Sequence, residues 1–148
     1  MALSGKVEIE IEIQAPADKF YNIFRKQLEH VPNISPEIHE NKVHEGDGEN
    51  VGSIKYWEYI IEGKKVSAKA KIETIDDENK IITYSLFDGE VSENYKSFKS
   101  TFQVLGGIVK WTFEYEKLKE DIAFGAPDSY LVFAEKVTKD IDAHLIKE

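Results

Sequence analysis

The chain has no cysteine among its 148 residues, which excludes disulfides, thiolate zinc sites and cysteine nucleophiles and fits a reducing compartment. No apolar leader is expected either. The first ten residues read MALSGKVEIE, and nowhere does a run approach the ~20 apolar residues needed to span a bilayer. A soluble, intracellular, cytoplasmic protein without membrane insertion is expected. Positive charge is scarce too: 19 Lys and Arg stand against 28 Asp and Glu, for a net charge of −9. No basic stripe interleaved with aromatics offsets the resulting repulsion from phosphate backbones and anionic lipid, so nucleic acid is not an expected partner. The four histidines, His30, His39, His44 and His144, show no metal-ligand spacing. Neither a metal nor a cofactor is expected. No linker, repeat or low-complexity segment divides the sequence, and residues 1–148 read as one domain, large enough to bury roughly two thirds of its unfolded surface.

What the chain does have is an order of periodicities. Val7, Ile9, Ile11 and Ile13 alternate with Lys6, Glu8, Glu10 and Glu12, the period of two of a half-buried strand. From Pro16 the period changes. Pro16 suits a first helical turn, Asp18 favours its positive end, and Phe20, Ile23 and Phe24 share a stripe. His30, Pro32 and Pro36 stop any long helix, so two short helical pieces are expected. Gly46, Gly48 and Gly52 then separate a strand near His39 to Glu45 from one near Ser53 to Ile61. Further strands are expected over Lys65 to Ile75, Ile81 to Phe87, Tyr95 to Leu105 and Ile108 to Lys117, the last two joined by a tight turn at Gly106 and Gly107. That makes seven strands with the first.

Phe98, Ser100, Phe102 and Val104, then Val109, Trp111, Phe113 and Tyr115, alternate with polar residues and read as inward. In the strand after the glycines, Ile54, Tyr56 and Ile60 compete with Lys55, Trp57, Tyr59 and Ile61 for the interior, and a slip of one residue exchanges them. Lys69 and Lys71 alternate with Val66, Ala68, Ala70 and Ile72 and read as solvated. Pro127 and Asp128 start a closing helix of about 20 residues, roughly 30 Å long, on which Tyr130, Phe133, Ala134, Val137, Ile141 and Leu145 recur at spacings of three and four. Lys136, Lys139, Asp140 and Asp142 fall opposite. The small Ala134 and Val137 sit mid-stripe, which leaves open either close packing on a bulky Trp111 or Phe102, or a cavity under the helix.

This order of elements resembles the major latex proteins of plants, a branch of the superfamily of the birch pollen allergen and the class 10 pathogenesis-related proteins. The resemblance is carried by the loop from Glu45 to Ser53, by Val109 to Lys117 (VKWTFEYEK), by Ile75-Asp76-Asp77-Glu78, by Asp88-Gly89 and by Tyr95-Lys96-Ser97-Phe98-Lys99. It implies an α+β helix-grip fold, in which a seven-stranded curved antiparallel sheet wraps a long C-terminal helix and two short helices lie between the first and second strands. It further implies a large apolar cavity for a hydrophobic small molecule such as a sterol, flavonoid or hormone. Matching positions suggest a lining of Phe24, Lys55, Trp57, Tyr59, Tyr84, Leu86, Phe98, Phe102, Trp111, Phe113, Tyr130, Phe133, Ala134 and Val137.

The resemblance makes a carrier or buffer tied to defence or stress the leading reading, without catalytic residues. An enzyme of cyclase or isomerase type, using Lys55 or a cavity tyrosine, is the alternative, and a protein-contacting role a third. Lys55 is singled out because the superfamily often keeps an inward lysine there, whose desolvated ammonium needs an anionic partner. The glycine loop is not a phosphate cradle, since Gly48 and Gly52 lead into a strand and Glu45, Asp47 and Glu49 would repel phosphate. Ribonuclease activity, claimed for pathogenesis-related relatives, is not expected, because Lys96 stands at a matching acidic position and His144 where a tyrosine would. Hormone receptors of the superfamily close a proline-containing gate where this chain has Ile61-Glu62-Gly63-Lys64-Lys65, so their phosphatase partner is not expected either. Oligomeric state is unreadable, with a monomer as the default.

Overall fold

A computed structural model describes residues 3–147. Seven strands, β1 (Ser4–Glu12), β2 (Ile38–Glu45), β3 (Ile54–Ile61), β4 (Lys64–Asp76), β5 (Ile81–Phe87), β6 (Tyr95–Leu105) and β7 (Ile108–Lys117), form one antiparallel sheet. Their order is β1-β7-β6-β5-β4-β3-β2. The edges are therefore β1 and β2, and the chain between them crosses as α1 (Ala17–Lys26), a 3-10 turn (Leu28–His30) and α2 (Val31–Ile34). The long helix α4 (Pro127–Ile146) lies across the concave face. This is the expected fold, with strand ends moved by at most two residues from the periodic reading, the largest shift being the start of β1 at Ser4 rather than Lys6.

Local chemistry explains the departures. Pro16 caps α1 from outside its first turn, and Pro32 sits within the opening turn of the short α2, where its missing N–H is not needed. A further helix, α3 (Val91–Asn94), follows β5, too short for any period to reveal. It starts beside Gly89, whose φ of +145° and close approach to Ser67 leave no room for a side chain: a Cβ there would stand 1.9 Å from the Ser67 carbonyl oxygen.

The register of β3 is settled by burial. Lys55, Tyr59 and Ile61 are buried and Trp57 packs on the core, while Tyr56 faces outward, donating to Glu58 at 2.8 Å beneath the Lys42 ammonium. Polar partners thus reconcile an aromatic residue with the wet face.

Helix α4 buries Tyr130, Ala134, Val137, Ile141 and Leu145, and also Thr138. Asp140 and Asp142, expected on the free side, tie it down. Ser35 Oγ donates to Asp140 at 2.7 Å, and Asp142 accepts the backbone N–H groups of Gln14 and Ala15 at 3.0 and 2.8 Å. The helix is therefore anchored at its C-terminal half by groups from β1–α1 and α2–β2. Among the described residues no helix is long and apolar enough to cross a membrane.

Candidate functional site

The concave face carries small residues in its middle and rings around them. Ala68 and Ala70 on β4 are buried with almost no side chain to fill the space, and Ala134 on α4 repeats the deficit from above. A cavity of about 80 Å³ open to water centres remains between them. Adding back the radius of a water gives roughly 300 Å³ of molecular space for a compact void, the small end of ligand pockets.

Of the residues suggested by the sequence, Phe24, Trp57, Tyr59, Tyr84, Leu86, Trp111, Phe113, Tyr130, Phe133, Ala134 and Val137 border this cavity. Lys55, Phe98 and Phe102 do not. Phe102 is sealed behind Phe24 and Trp111, with ring centroids 4.6 and 5.3 Å away. Phe98 fills the far end, 4.8 Å from Tyr95 and 4.6 Å from Tyr130. Both are walls behind the wall. Ile38, Ala68, Ala70 and Ser100 border the cavity without having been singled out. Ala68, Ala70 and Ser100 already stood on inward faces by alternation; what hid them is that a void is announced by small side chains rather than large ones.

Lys55 is only 5% exposed. Its side chain runs under the glycine loop, where Cε lies 4.0 Å from the place a Gly48 Cβ would occupy. No hydrogen bond or ion pair reaches its ammonium among the described residues, and burial lowers its pKa against a smaller opposing pull from Glu29 and Glu49. The loop itself is internally satisfied. Asp47 Oδ1 accepts the N–H groups of Glu49 and Asn50 and the Ser53 hydroxyl at 2.9, 2.9 and 2.8 Å, which holds its carboxyl far below the usual range. Amides already bound to a carboxylate are not offered to phosphate. Helix α1 clips this loop to the β4–β5 turn: Arg25 donates to the Glu49 carbonyl at 2.7 Å and to Asp77 at 3.0 Å, and Tyr21 donates to Asp77 at 2.6 Å.

Polar groups at the cavity are few. Tyr59 and Tyr130 bond hydroxyl to hydroxyl at 2.9 Å, and Trp111 Nε1 donates to Thr138 Oγ1 at 2.8 Å. Burial raises the pKa of Tyr59, Tyr84 and Tyr130 well above the ordinary tyrosine value, so all three keep their protons at neutral pH. Among the described residues no group of three His, Asp or Glu side chains is placed to hold a metal. A second hollow of about 120 Å³, lined by Glu37, Ile60, Glu62, Gly63, Ser129, Val132 and Lys136, shares Phe133 with the cavity. This partly buried ring borders both.

The model of the pathogenesis-related protein Bet v 1 family matches residues 2–148. MLP-like protein 43 of Arabidopsis thaliana is 41% identical over 154 aligned residues, covering 99% of this chain and 96% of that protein. Against MLP-like protein 34 of the same plant, also 41% identical, the chain spans about half the relative's length, 46%. The crystal structure of ginseng major latex-like protein 151 from Panax ginseng superposes with a TM-score of 0.90 at 38% identity, covering 97% of this chain and 98% of the other. Norcoclaurine synthase from Thalictrum flavum, in complex with dopamine and hydroxybenzaldehyde, shares the fold with a TM-score of 0.72 over 98% of this chain and 88% of its own, at 16% identity.

Proposed function

Since the chain belongs to the Bet v 1 family of pathogenesis-related proteins, in its major latex protein branch, we propose that it is a plant carrier or buffer of a hydrophobic or amphipathic small molecule. Members of this family generally bind ligands. The apolar cavity between the sheet and α4 carries the reading for this chain. Its walls offer dispersion contact to a ligand skeleton and no charge to repel it. Phe133 marks the entrance, because it borders both the cavity and the hollow beside the β3–β4 turn. The protein acts in the cytoplasm as a monomer, in a defence or stress setting, and needs no nucleic acid or phosphatase.

Catalysis in the same cavity is the other reading, since one enzyme shares the fold. It would need a base at the void, yet the tyrosines there hold their protons and Lys55 stands under the loop instead. Binding without turnover fits these groups better. Titration with the neutral fluorophore 1-aminoanthracene tests it: fluorescence saturates at one equivalent, Ala134→Phe abolishes the signal, and a metabolite that displaces the probe is recovered chemically unchanged. A signal that survives Ala134→Phe would overturn the site, and a converted metabolite would overturn the carrier.

A further inference from the structure

The loop between β7 and α4, residues 118–126, is loose in its middle and fastened at its end. Leu118 to Asp121 and Ala123 are exposed, whereas Phe124 is partly buried and Gly125 buried. Apart from the start of α4, the described residues hold 119–126 by three hydrogen bonds, and all three end at Phe124 or Gly125. Asn94 Nδ2 donates to the Phe124 carbonyl, the Tyr95 hydroxyl to the Gly125 carbonyl, and the Gly125 N–H to Glu62 Oε2, each at 2.7 Å. Asn94 and Tyr95 are neighbours at the α3–β6 junction and hold the loop from one side. Glu62 holds it from the other, out of the two-residue turn between β3 and β4, beside which the Lys64 ammonium stands 5.2 Å from the Phe124 ring centre.

Backbone chemistry does not call for glutamate in that turn. Glu62 and Gly63 have φ of +49° and +79°, a left-handed pair that asparagine, aspartate or glycine adopts at least cost. What glutamate supplies is reach. Its carboxylate stands beside the start of α4, whose N-cap, Ala126, offers no side-chain acceptor, and it brings that end of the helix a negative charge from elsewhere in the chain. The bond also joins the rims of two hollows. Gly125 borders one, which shares Tyr130 with the cavity, and Glu62 borders the other, which shares Phe133. Neither Glu62 nor Gly125 borders the cavity itself. We propose, resting on the cavity reading above, that the β7–α4 loop is a lid on the Tyr130–Phe133 end of the cavity and that Glu62 is its catch. Ligand passes in either direction when the Glu62–Gly125 bond opens, so Glu62 sets the rates of exchange. It leaves equilibrium affinity alone, because a group that does not touch the bound ligand holds the lid equally with the cavity full or empty.

Stopped-flow mixing with 1-aminoanthracene makes the test. Glu62→Ala removes the catch and raises the association and dissociation rates together, each roughly five- to tenfold, while their ratio stays within about twofold of wild type. Glu62→Asn separates the catch from the turn: asparagine takes the left-handed backbone more readily, and its side chain is one methylene shorter than the reach to Gly125. Its urea midpoint holds or rises and its exchange is still faster than wild type, a combination that a merely structural role does not produce. Lys65→Ala, beside the same turn but facing Glu58, leaves exchange at the wild-type rate. Unmoved rates in both Glu62 variants, with the probe still bound, overturn the inference and leave the cavity intact. A rise in dissociation alone makes Glu62 part of the binding energy and also overturns it, as does an equal acceleration by Lys65→Ala. Failure of 1-aminoanthracene to bind the wild type sinks the cavity, and the inference with it.

Discussion

Replacing Ala134 with leucine distinguishes a helix that spans a void from one packed flush on the sheet. Ala134 is 1% exposed and borders the cavity. Three added carbons, buried at ~0.8 kcal/mol each, contribute about 2.4 kcal/mol. Ordering the new side chain costs about 0.5–1 kcal/mol, and leucine's lower helix propensity a few tenths more. If the void accepts the side chain, the net is a gain of about 1 kcal/mol. For a chain of 148 residues that raises the melting temperature by about 3 °C. If the helix were flush, the same carbons would force neighbours off their rotamers at about 1–3 kcal/mol, with no apolar gain to set against it. Urea denaturation gives the stability change, and a 1-aminoanthracene titration on the same sample gives the space left over. Leucine in the void weakens probe binding at least tenfold while the denaturation midpoint holds or rises. A loss of 2 kcal/mol or more with probe binding unchanged would refute the reasoning.

Other substitutions test other parts of the structure. Thr138→Val keeps the shape but takes the acceptor from Trp111 Nε1, so urea unfolding should show a loss of about 1–3 kcal/mol. Gly89→Ala drives a methyl into the Ser67 carbonyl at a φ that side chains avoid; a loss of about 3 kcal/mol or more is expected in thermal denaturation, and a neutral result would contradict the close approach. Lys55→Met removes a buried ammonium whose pKa is lowered on folding. A base with a lowered folded-state pKa weakens the fold while it must stay charged, and that penalty fades as pH rises toward the unfolded value of about 10.4. The methionine variant should therefore be more stable than wild type at pH 7, by an advantage that shrinks by pH 10.5 in parallel denaturation curves. An advantage that grows with pH would contradict the sign.

Periodicity made the sheet and α4 legible, because β1, β6, β7 and α4 each bury one clean face. The face of β3 was not legible. Tyr56 and Trp57 are both large and aromatic, and only the partners of Tyr56, Glu58 and Lys42, keep it outside. Such polar partners leave no trace in the alternation of large and small or apolar and polar residues. Asp140 and Asp142 misled for the same reason: their partners lie more than 100 residues away, at Ser35, Gln14 and Ala15. At the site, large inward residues were easy to name and the cavity itself was not. Phe98 and Phe102 stand behind the rings that border the void, whereas Ala68, Ala70 and Ala134 make the space by what they lack.

The central claim, a small molecule held between sheet and α4, is tested most directly by native mass spectrometry of the protein purified from its own tissue, with denaturation to release what it carries. The account predicts one equivalent of a mostly apolar metabolite, lost when Ala134→Phe is expressed in the same tissue. Protein that is consistently empty, and that also fails to bind 1-aminoanthracene, would contradict it.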